Sequence, residues 1–96
     1  MKLSEQTNNL TIRTDTVKEE ELTYRYTLSA SQSPHASYRA PRYFLKAERL
    51  GTDGSILQEA TAAVADPGYA LILFEILCAH RVSPVHLCDV IEDFEH

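Results

Sequence analysis

The chain has 96 residues, of which 44% are apolar and 24% charged, and its formal net charge is −5 at pH 7. This length suits one domain, and the composition is typical of a compact globular protein rather than a disordered or repeat chain. Residues 59–96 carry Arg81 as their only Lys or Arg against seven Asp or Glu, so the C-terminal half is acidic and disfavours nonspecific nucleic-acid binding.

Targeting signals are not evident in the sequence. No apolar stretch follows Met1 and Lys2 as it would in a secretion signal. The longest apolar run, residues 70–79, contains Glu75 and is too short to span a bilayer. Two cysteines without an export signal are expected to be reduced thiols. We therefore expect a cytoplasmic protein that contacts no membrane.

The first half of the chain predicts strands. Residues 1–19 are polar apart from Leu10 and Ile12 and are expected to form an arm or a short edge strand. The clearest strand begins at Leu22, where apolar and polar residues alternate strictly. Apolar positions of this strand are Leu22, Tyr24, Tyr26 and Leu28. A Ser-rich loop is expected over residues 29–37.

Two further strands follow this loop. Tyr43 and Leu45 alternate with polar or aromatic neighbours and predict the second strand. Residues 50–55 predict a hairpin turn in which Gly51 and Gly54 supply positive φ angles. The third strand is expected from Ile56 to about Ala65.

The C-terminal third predicts two helices. Asp66 and Pro67 are typical of a helix start, because Asp accepts from free backbone N–H groups and Pro has no N–H to leave unpaired. The first helix is expected to reach His80, and its two apolar stripes predict burial on two sides. Ser83 and Pro84 repeat the start signal. A single apolar stripe then predicts an amphipathic last helix, with Leu87, Val90, Ile91 and Phe94.

These elements predict an α+β fold. We expect an antiparallel β-meander of three strands, or four if residues 1–19 contribute one, followed by two C-terminal helices packed on one face. Residues 20–96 would form a single βββαα domain. The two helix starts define a structural corner, formed by Asp66, Pro67, Ser83, Pro84, His86 and Asp89.

Residues 78–88, where the two predicted helices meet, contain two cysteines and two histidines, which raises the question of a metal site. The two Cys–His pairs are Cys78 with His80 and His86 with Cys88. Each Cys–His pair is spaced i, i+2, so the two side chains of a pair point in nearly opposite directions on a helix. Zinc pairs usually lie on turns or at i, i+3 or i, i+4. We therefore predict no metal and no cofactor. A disulfide between Cys78 and Cys88 is disfavoured because thiols stay reduced in the cytoplasm, where we expect the protein.

The segment RVSPVHLCDVIEDF, residues 81–94, resembles the end of a family of short uncharacterised proteins from anaerobic Gram-positive bacteria, the domain-of-unknown-function family 6514. Positions that carry this resemblance are Ser83, Pro84, His86, Leu87, Asp89, Val90, Glu92 and Asp93. The resemblance extends over roughly residues 20–95, but Tyr38 is followed by Arg39 where a Tyr-Gly pair was expected. It implies a bacterial cytosolic setting and no particular chemistry.

Catalytic and DNA-reading motifs are weak. Ser31, Ser33, Ser37 and His35 share the long loop, but there is no nucleophile elbow, P-loop or dinucleotide fingerprint. The last helix offers mainly acids where a DNA recognition helix needs groups that suit phosphates and bases. We therefore expect no enzyme and no helix–turn–helix DNA binder.

Two candidates remain: the second apolar stripe of the first helix, if nothing covers it, and the sheet face opposite the helices. This face is expected to display Arg25, Arg42, Phe44, Lys46 and Leu57. Exposed apolar groups on a small domain favour pairing with itself or another protein, so the first hypothesis is a protein-interaction or regulatory module that forms a homodimer. The alternative is a single-stranded nucleic-acid binder, because arginines beside an exposed aromatic also suit base stacking.

Overall fold

A computed structural model describes residues 8–32, 42–64 and 66–95. Its single antiparallel sheet has the order β1-β2-β3-β4, and two helices follow. The strands are β1 (Asn8–Glu19), β2 (Leu22–Gln32), β3 (Arg42–Leu50) and β4 (Ile56–Val64). The helices are α1 (Ala70–His80) and α2 (Leu87–Glu95), and each follows a 3-10 turn, Pro67–Tyr69 and Pro84–His86 respectively. The predicted α+β meander with two C-terminal helices is confirmed, with four strands.

β1 is a full edge strand of twelve residues, longer than the short strand or arm considered from the sequence. Its register with β2 shifts between Thr11 and Arg13, which places a β-bulge at Ile12. Because of this bulge Leu10 pairs with Ala30 while Val17 pairs with Tyr24, so both apolar residues lie on the same side of the sheet. The bulge also explains why β1 shows no period of two in its sequence.

The hydrophobic core lies between the sheet and the helices. Tyr26 and Leu45 in the central strands have no exposed surface, and neither have Leu73 and Leu77 of α1. Helix α1 packs across β2 and β3, while α2 packs on β4. Leu22, which the alternation predicted to face the helices, is only half-buried and lies outside this core.

The strand and turn boundaries correct two expectations. Residues 29–32 belong to β2 rather than to the Ser-rich loop, whose remaining residues 33–37 lie outside the described part of the chain. In the turn between β3 and β4, Gly54 has φ +87° but Gly51 has no positive φ. Gly51 instead donates its N–H to the Ser55 carbonyl at 2.8 Å, closing the hairpin.

The helix starts differ in how they are capped. The Asp66 carboxylate accepts from the Gly68 N–H at 2.9 Å, as the sequence predicted, although α1 itself begins only after a 3-10 turn. Ser83 takes the extended backbone of a cap residue but makes no side-chain cap hydrogen bond, so Pro84 at the first position is the main start signal.

The connection between the helices is short and anchored in the core. Arg81 adopts the left-handed conformation with φ 51° and ends α1. Next to it, the Val82 N–H donates to the Leu77 carbonyl at 3.2 Å. The Val82 carbonyl in turn accepts from the Tyr26 hydroxyl at 2.7 Å, so the middle of β2 holds the corner in place.

Helix α1 is buried on one side only, which corrects the expectation from its two apolar stripes. Ala70, Leu73, Phe74 and Leu77 are buried. Leu71 and Ile72 instead are 46% and 49% exposed. The sheet offers a single layer for α1 to cover, so the described residues leave the outer side of this apolar helix uncovered.

Candidate interaction surfaces

The sheet face away from the helices, called here the open face, presents the cationic and aromatic residues singled out from the sequence. Strand register places Arg25 opposite Glu48, Lys46 opposite Thr27, and Phe44 opposite Ser29. Residues directly opposite in an antiparallel pair share one face of the sheet. Arg42, opposite Ser31, is exposed at the start of β3 on the same side.

The two cations at the centre of the open face, Arg25 and Lys46, are paired with carboxylates. The Arg25 guanidinium donates to both carboxylate oxygens of Glu48, at 2.7 and 3.1 Å. The Lys46 ammonium lies 3.7 Å from Glu48 and 3.6 Å from Glu59. The Glu48 side chain is only 2% exposed, and the hydrogen bond from Arg25 holds its pKa below the ordinary value despite burial. This pairing weakens the field that would attract phosphates.

A shallow hollow of about 570 Å³ lies on the open face. Hydroxyl groups form most of its lining, together with one aromatic ring and one ammonium. The lining residues are Thr11, Thr27, Ser29, Ser31, Phe44, Lys46 and Thr61. Five of its seven lining residues are Ser or Thr, so the hollow offers hydrogen-bonding groups as well as apolar surface.

The predicted surface is not one contiguous patch. Phe44 pairs with Ala63 near the C-terminal end of β4, whereas Leu57 lies near the start of that strand. At about 3.4 Å per residue, the offset of six positions from Leu57 to Ala63 corresponds to about 20 Å along the strand. Leu57 is 51% exposed. The structure therefore does not bring Phe44 and Leu57 together.

An apolar groove lies on the opposite side of the molecule, between the helices. The α1–α2 groove has a volume of about 360 Å³ and is lined by Ile76, His80, Val82, Val90, Asp93 and Phe94. Tyr69 extends it, because its ring meets the Phe94 ring edge-on with centroids 5.2 Å apart. Ile72 lies one helical turn before Ile76 and continues the same row.

Sequence reasoning missed this groove as a site. The sequence pattern predicts burial both for the α1 stripe that contains Tyr69, Ile72 and Ile76 and for the α2 stripe that contains Val90 and Phe94. Only the second stripe of α1 is expected to stay exposed if nothing covers it. The signal that pointed to a site was the surplus of apolar residues on α1, which exceeds what one sheet face can cover.

The two cysteines and two histidines of residues 78–88 do not converge on a metal site. Cys78 and Cys88 are free thiols, the first half-buried and the second exposed. Burial raises the pKa of the Cys78 thiol to about 11, so this group is a poor nucleophile at neutral pH. His86 instead lies 3.8 Å from Asp89. Within residues 8–32, 42–64 and 66–95, no group of three or more His, Cys, Asp or Glu side chains could hold a metal ion.

The comparisons with known proteins agree with the resemblance at residues 81–94. The model for "Family of unknown function (DUF6514)" matches residues 5–96. The chain belongs to this family. The family is described as one of unknown function, so membership in DUF6514 assigns no reaction to the chain.

No curated protein and no solved structure matches this DUF6514 chain. Among the helices in the described ranges, none has the length and apolar character needed to cross a membrane. The surfaces defined above are therefore the basis for any functional assignment.

Proposed function

We propose that this protein is a cytoplasmic, non-enzymatic protein-interaction module with a regulatory or adaptor role. The α1–α2 groove is its partner-binding surface, and the module acts as a homodimer. One observation carries the proposal: the apolar row Tyr69, Ile72, Ile76 and Phe94 lies at the surface although the core beneath it is complete. Apolar patches rimmed by polar groups are typical of protein-binding sites.

The dimensions and direction of the groove favour a helical partner. Two neighbouring helices form its walls, and an amphipathic helix places apolar residues at i, i+3, i+4 and i+7 into such a groove. The aromatic pair of Tyr69 and Phe94 forms one end, and aromatic residues are enriched among those that dominate binding energy at interfaces.

The charges around the groove define the partner further. Glu75 lies on α1, and α2 contains four acids, of which Asp93 lines the groove itself. An acidic rim favours a partner whose apolar stripe is flanked by Lys or Arg. We therefore propose a basic amphipathic helix as the class of partner.

The open face supports the second candidate, single-stranded nucleic-acid binding. Phe44 and Lys46 line its hollow, and Arg42 is exposed beside it. Against this candidate, the ion pairs of Arg25 and Lys46 with Glu48 and Glu59 cancel much of the positive charge. The acidic balance of the whole chain opposes phosphate as well.

A matched pair of variants tests the groove. Ile72→Glu places a charge in the apolar row, whereas Leu71→Glu places the same charge on the neighbouring side of α1, at an almost equal exposure. We expect a fluorescent amphipathic Leu/Lys helical peptide to bind the wild type, and Ile72→Glu to weaken binding by about tenfold or more, which is ~1.4 kcal/mol. Fluorescence anisotropy measures both affinities.

Leu71→Glu should bind the peptide as the wild type does, and a scrambled peptide of the same composition should bind poorly. Equal binding of the scrambled peptide, or equal losses in both variants, would contradict the groove assignment. Binding of an oligothymidine that weakens steeply with salt and is lost in Arg25→Glu/Lys46→Glu would favour the nucleic-acid function instead.

A further inference from the structure

The two edges of the sheet differ in how they are protected against pairing with another strand. Edge strands commonly carry bulges and charged side chains, which prevent further pairing. β1 has both, a bulge at Ile12 and charges at Arg13, Asp15 and Lys18. β4 has a register shift of its own at Leu57, at the start of the strand, but it contains neither Pro nor Lys, and Glu59 is its single charged residue.

The β4 edge is also accessible and partly apolar. β4 is the last strand of the sheet, so the outward backbone N–H and C=O groups along it have no strand neighbour in the described part of the chain. Ile56 and Leu57 are 48% and 51% exposed at its start. Small residues at its centre and end, including Ala60 and Ala63, leave room for a neighbouring strand to approach.

We propose that the partner at this edge is a second copy of the chain, paired antiparallel through β4 about a two-fold axis at Ala60. This inference rests on the self-association included in the proposed function, and it names the interface. The axis follows from the strand itself, because Ala60 is the midpoint of Ile56–Val64 and only this centre pairs the strand along its whole length.

The side chains agree with this register. Glu59 lies opposite the partner's Thr61, and Leu57 lies opposite the partner's Ala63, which leaves space for the larger side chain. An axis at Glu59 would set two carboxylates directly against each other, which is destabilising. An axis at Thr61 would leave Ile56 without a counterpart.

Charge complementarity extends one strand further. Lys46 of β3 lies directly opposite Thr61 of β4 on the open face. In the paired sheet the row continues from Lys46 through Thr61 to the partner's Glu59. Each copy therefore places an ammonium and a carboxylate in the same row across the interface, and the two-fold axis repeats this arrangement in the opposite direction.

The symmetry has a geometric consequence for the groove. Residues paired across the axis share sheet faces, so the helices of both copies lie on the same side of an eight-stranded sheet. The two α1–α2 grooves then face the same direction and remain open, and the dimer presents two binding sites to one partner surface.

A charge exchange tests both the interface and its register. Thr61→Glu places a carboxylate opposite the partner's Glu59 at two symmetric positions. The double variant Glu59→Lys/Thr61→Glu restores opposite charges at those positions. Thr14→Glu is the matched control, because it makes the same substitution at an exposed site of β1, the other edge. Light scattering after size exclusion, over a range of protein concentrations, gives the mass of each variant.

We expect the wild type and Thr14→Glu to have twice the chain mass of 10.8 kDa, Thr61→Glu to have the mass of one chain, and the double variant to regain the dimer. A wild type that stays monomeric would overturn the interface together with self-association. A dimer that Thr61→Glu leaves intact, or that the double variant fails to restore, would overturn this interface alone. Circular dichroism checks that each variant is folded.

Discussion

At the scale of single residues, Tyr26 brings a polar group into the centre of the core. Its side chain has no exposed surface, and its hydroxyl donates to the Val82 carbonyl at 2.7 Å. Burial holds the pKa of this phenol well above its ordinary value, so the hydroxyl remains a neutral donor across the physiological range. One hydrogen bond thereby fixes the position of the helix corner on the sheet.

Removing this hydroxyl should destabilise the fold. Tyr26→Phe leaves the Val82 carbonyl without its donor, and the free energy of unfolding should fall by about 1–2 kcal/mol. Urea denaturation followed by circular dichroism measures the change. Tyr24→Phe is the matched control, because its ring stacks on Tyr26 with centroids 6.2 Å apart and its hydroxyl has no partner recorded among the described residues. Equal losses in the two variants would contradict the role given to Val82.

The sequence predicted which side of the sheet Tyr24 and Tyr26 face, because alternation reports burial directly. It did not predict that Glu48, on the opposite side, would be 2% exposed. A carboxylate in an alternating strand is normally read as solvated. Its burial here depends on Arg25, which is 23 residues away in the chain and meets it only after strands β2 and β3 pair.

At the scale of elements, the turn between β3 and β4 depends on one glycine. Gly54 has φ +87°, a conformation that side chains of L-residues disfavour. A Cβ at this position would meet nothing within 4 Å. A side chain here would therefore destabilise the turn through backbone strain and not through clashes with neighbouring atoms.

Gly54→Ala should therefore lower the free energy of unfolding by about 1 kcal/mol, since strain in the folded turn is partly offset by lower entropy of the unfolded chain. Thermal denaturation compared with Thr52→Ala, an exposed position in the same turn, measures the effect. An Ala variant as stable as the wild type would mean that the turn readily changes to another type.

Elements whose pattern is uninterrupted were predicted well, and the others were not. The alternation of β2 and the single stripe of α2 predicted the correct elements, and most of the apolar positions face the core, although Leu22 lies outside it and Phe94 is exposed at the groove. The bulge at Ile12 breaks the period of β1, so its twelve residues could not be recognised as one strand from periodicity. The groove beside α1 was missed because a stripe shows that residues are apolar and does not show what covers them.

At the scale of the whole molecule, the half-buried ion pair of Arg25 and Glu48 predicts how stability responds to acid. The pKa of Glu48 lies below its usual 4.5 in the folded state, chiefly because Arg25 donates hydrogen bonds to it. Its contribution is therefore complete above that value and is lost as pH falls through the lower folded pKa. Because the Arg25 side chain is 40% exposed, solvent screens the pair, and the effect should not exceed about 1–2 kcal/mol.

We expect Glu48→Gln to flatten the fall in unfolding free energy below about pH 4.5, where the wild type loses this contribution. Urea denaturation at a series of pH values measures both curves. Glu92→Gln, an exposed position on α2, should follow the wild type. Parallel curves for the wild type and Glu48→Gln would show that other carboxylates govern the response to acid.

The contact between Tyr26 and Val82 also bears on the order in which the protein is made. These residues lie 56 positions apart, and the complete sheet ends at Val64, before the first residue of either helix. During synthesis the four strands therefore leave the ribosome before the helices that cover them. The apolar face of the sheet stays exposed until residues 70–91 have also been made. A stalled or slowly translated chain exposes that face together with the unprotected β4 edge, which is the combination from which nascent chains aggregate.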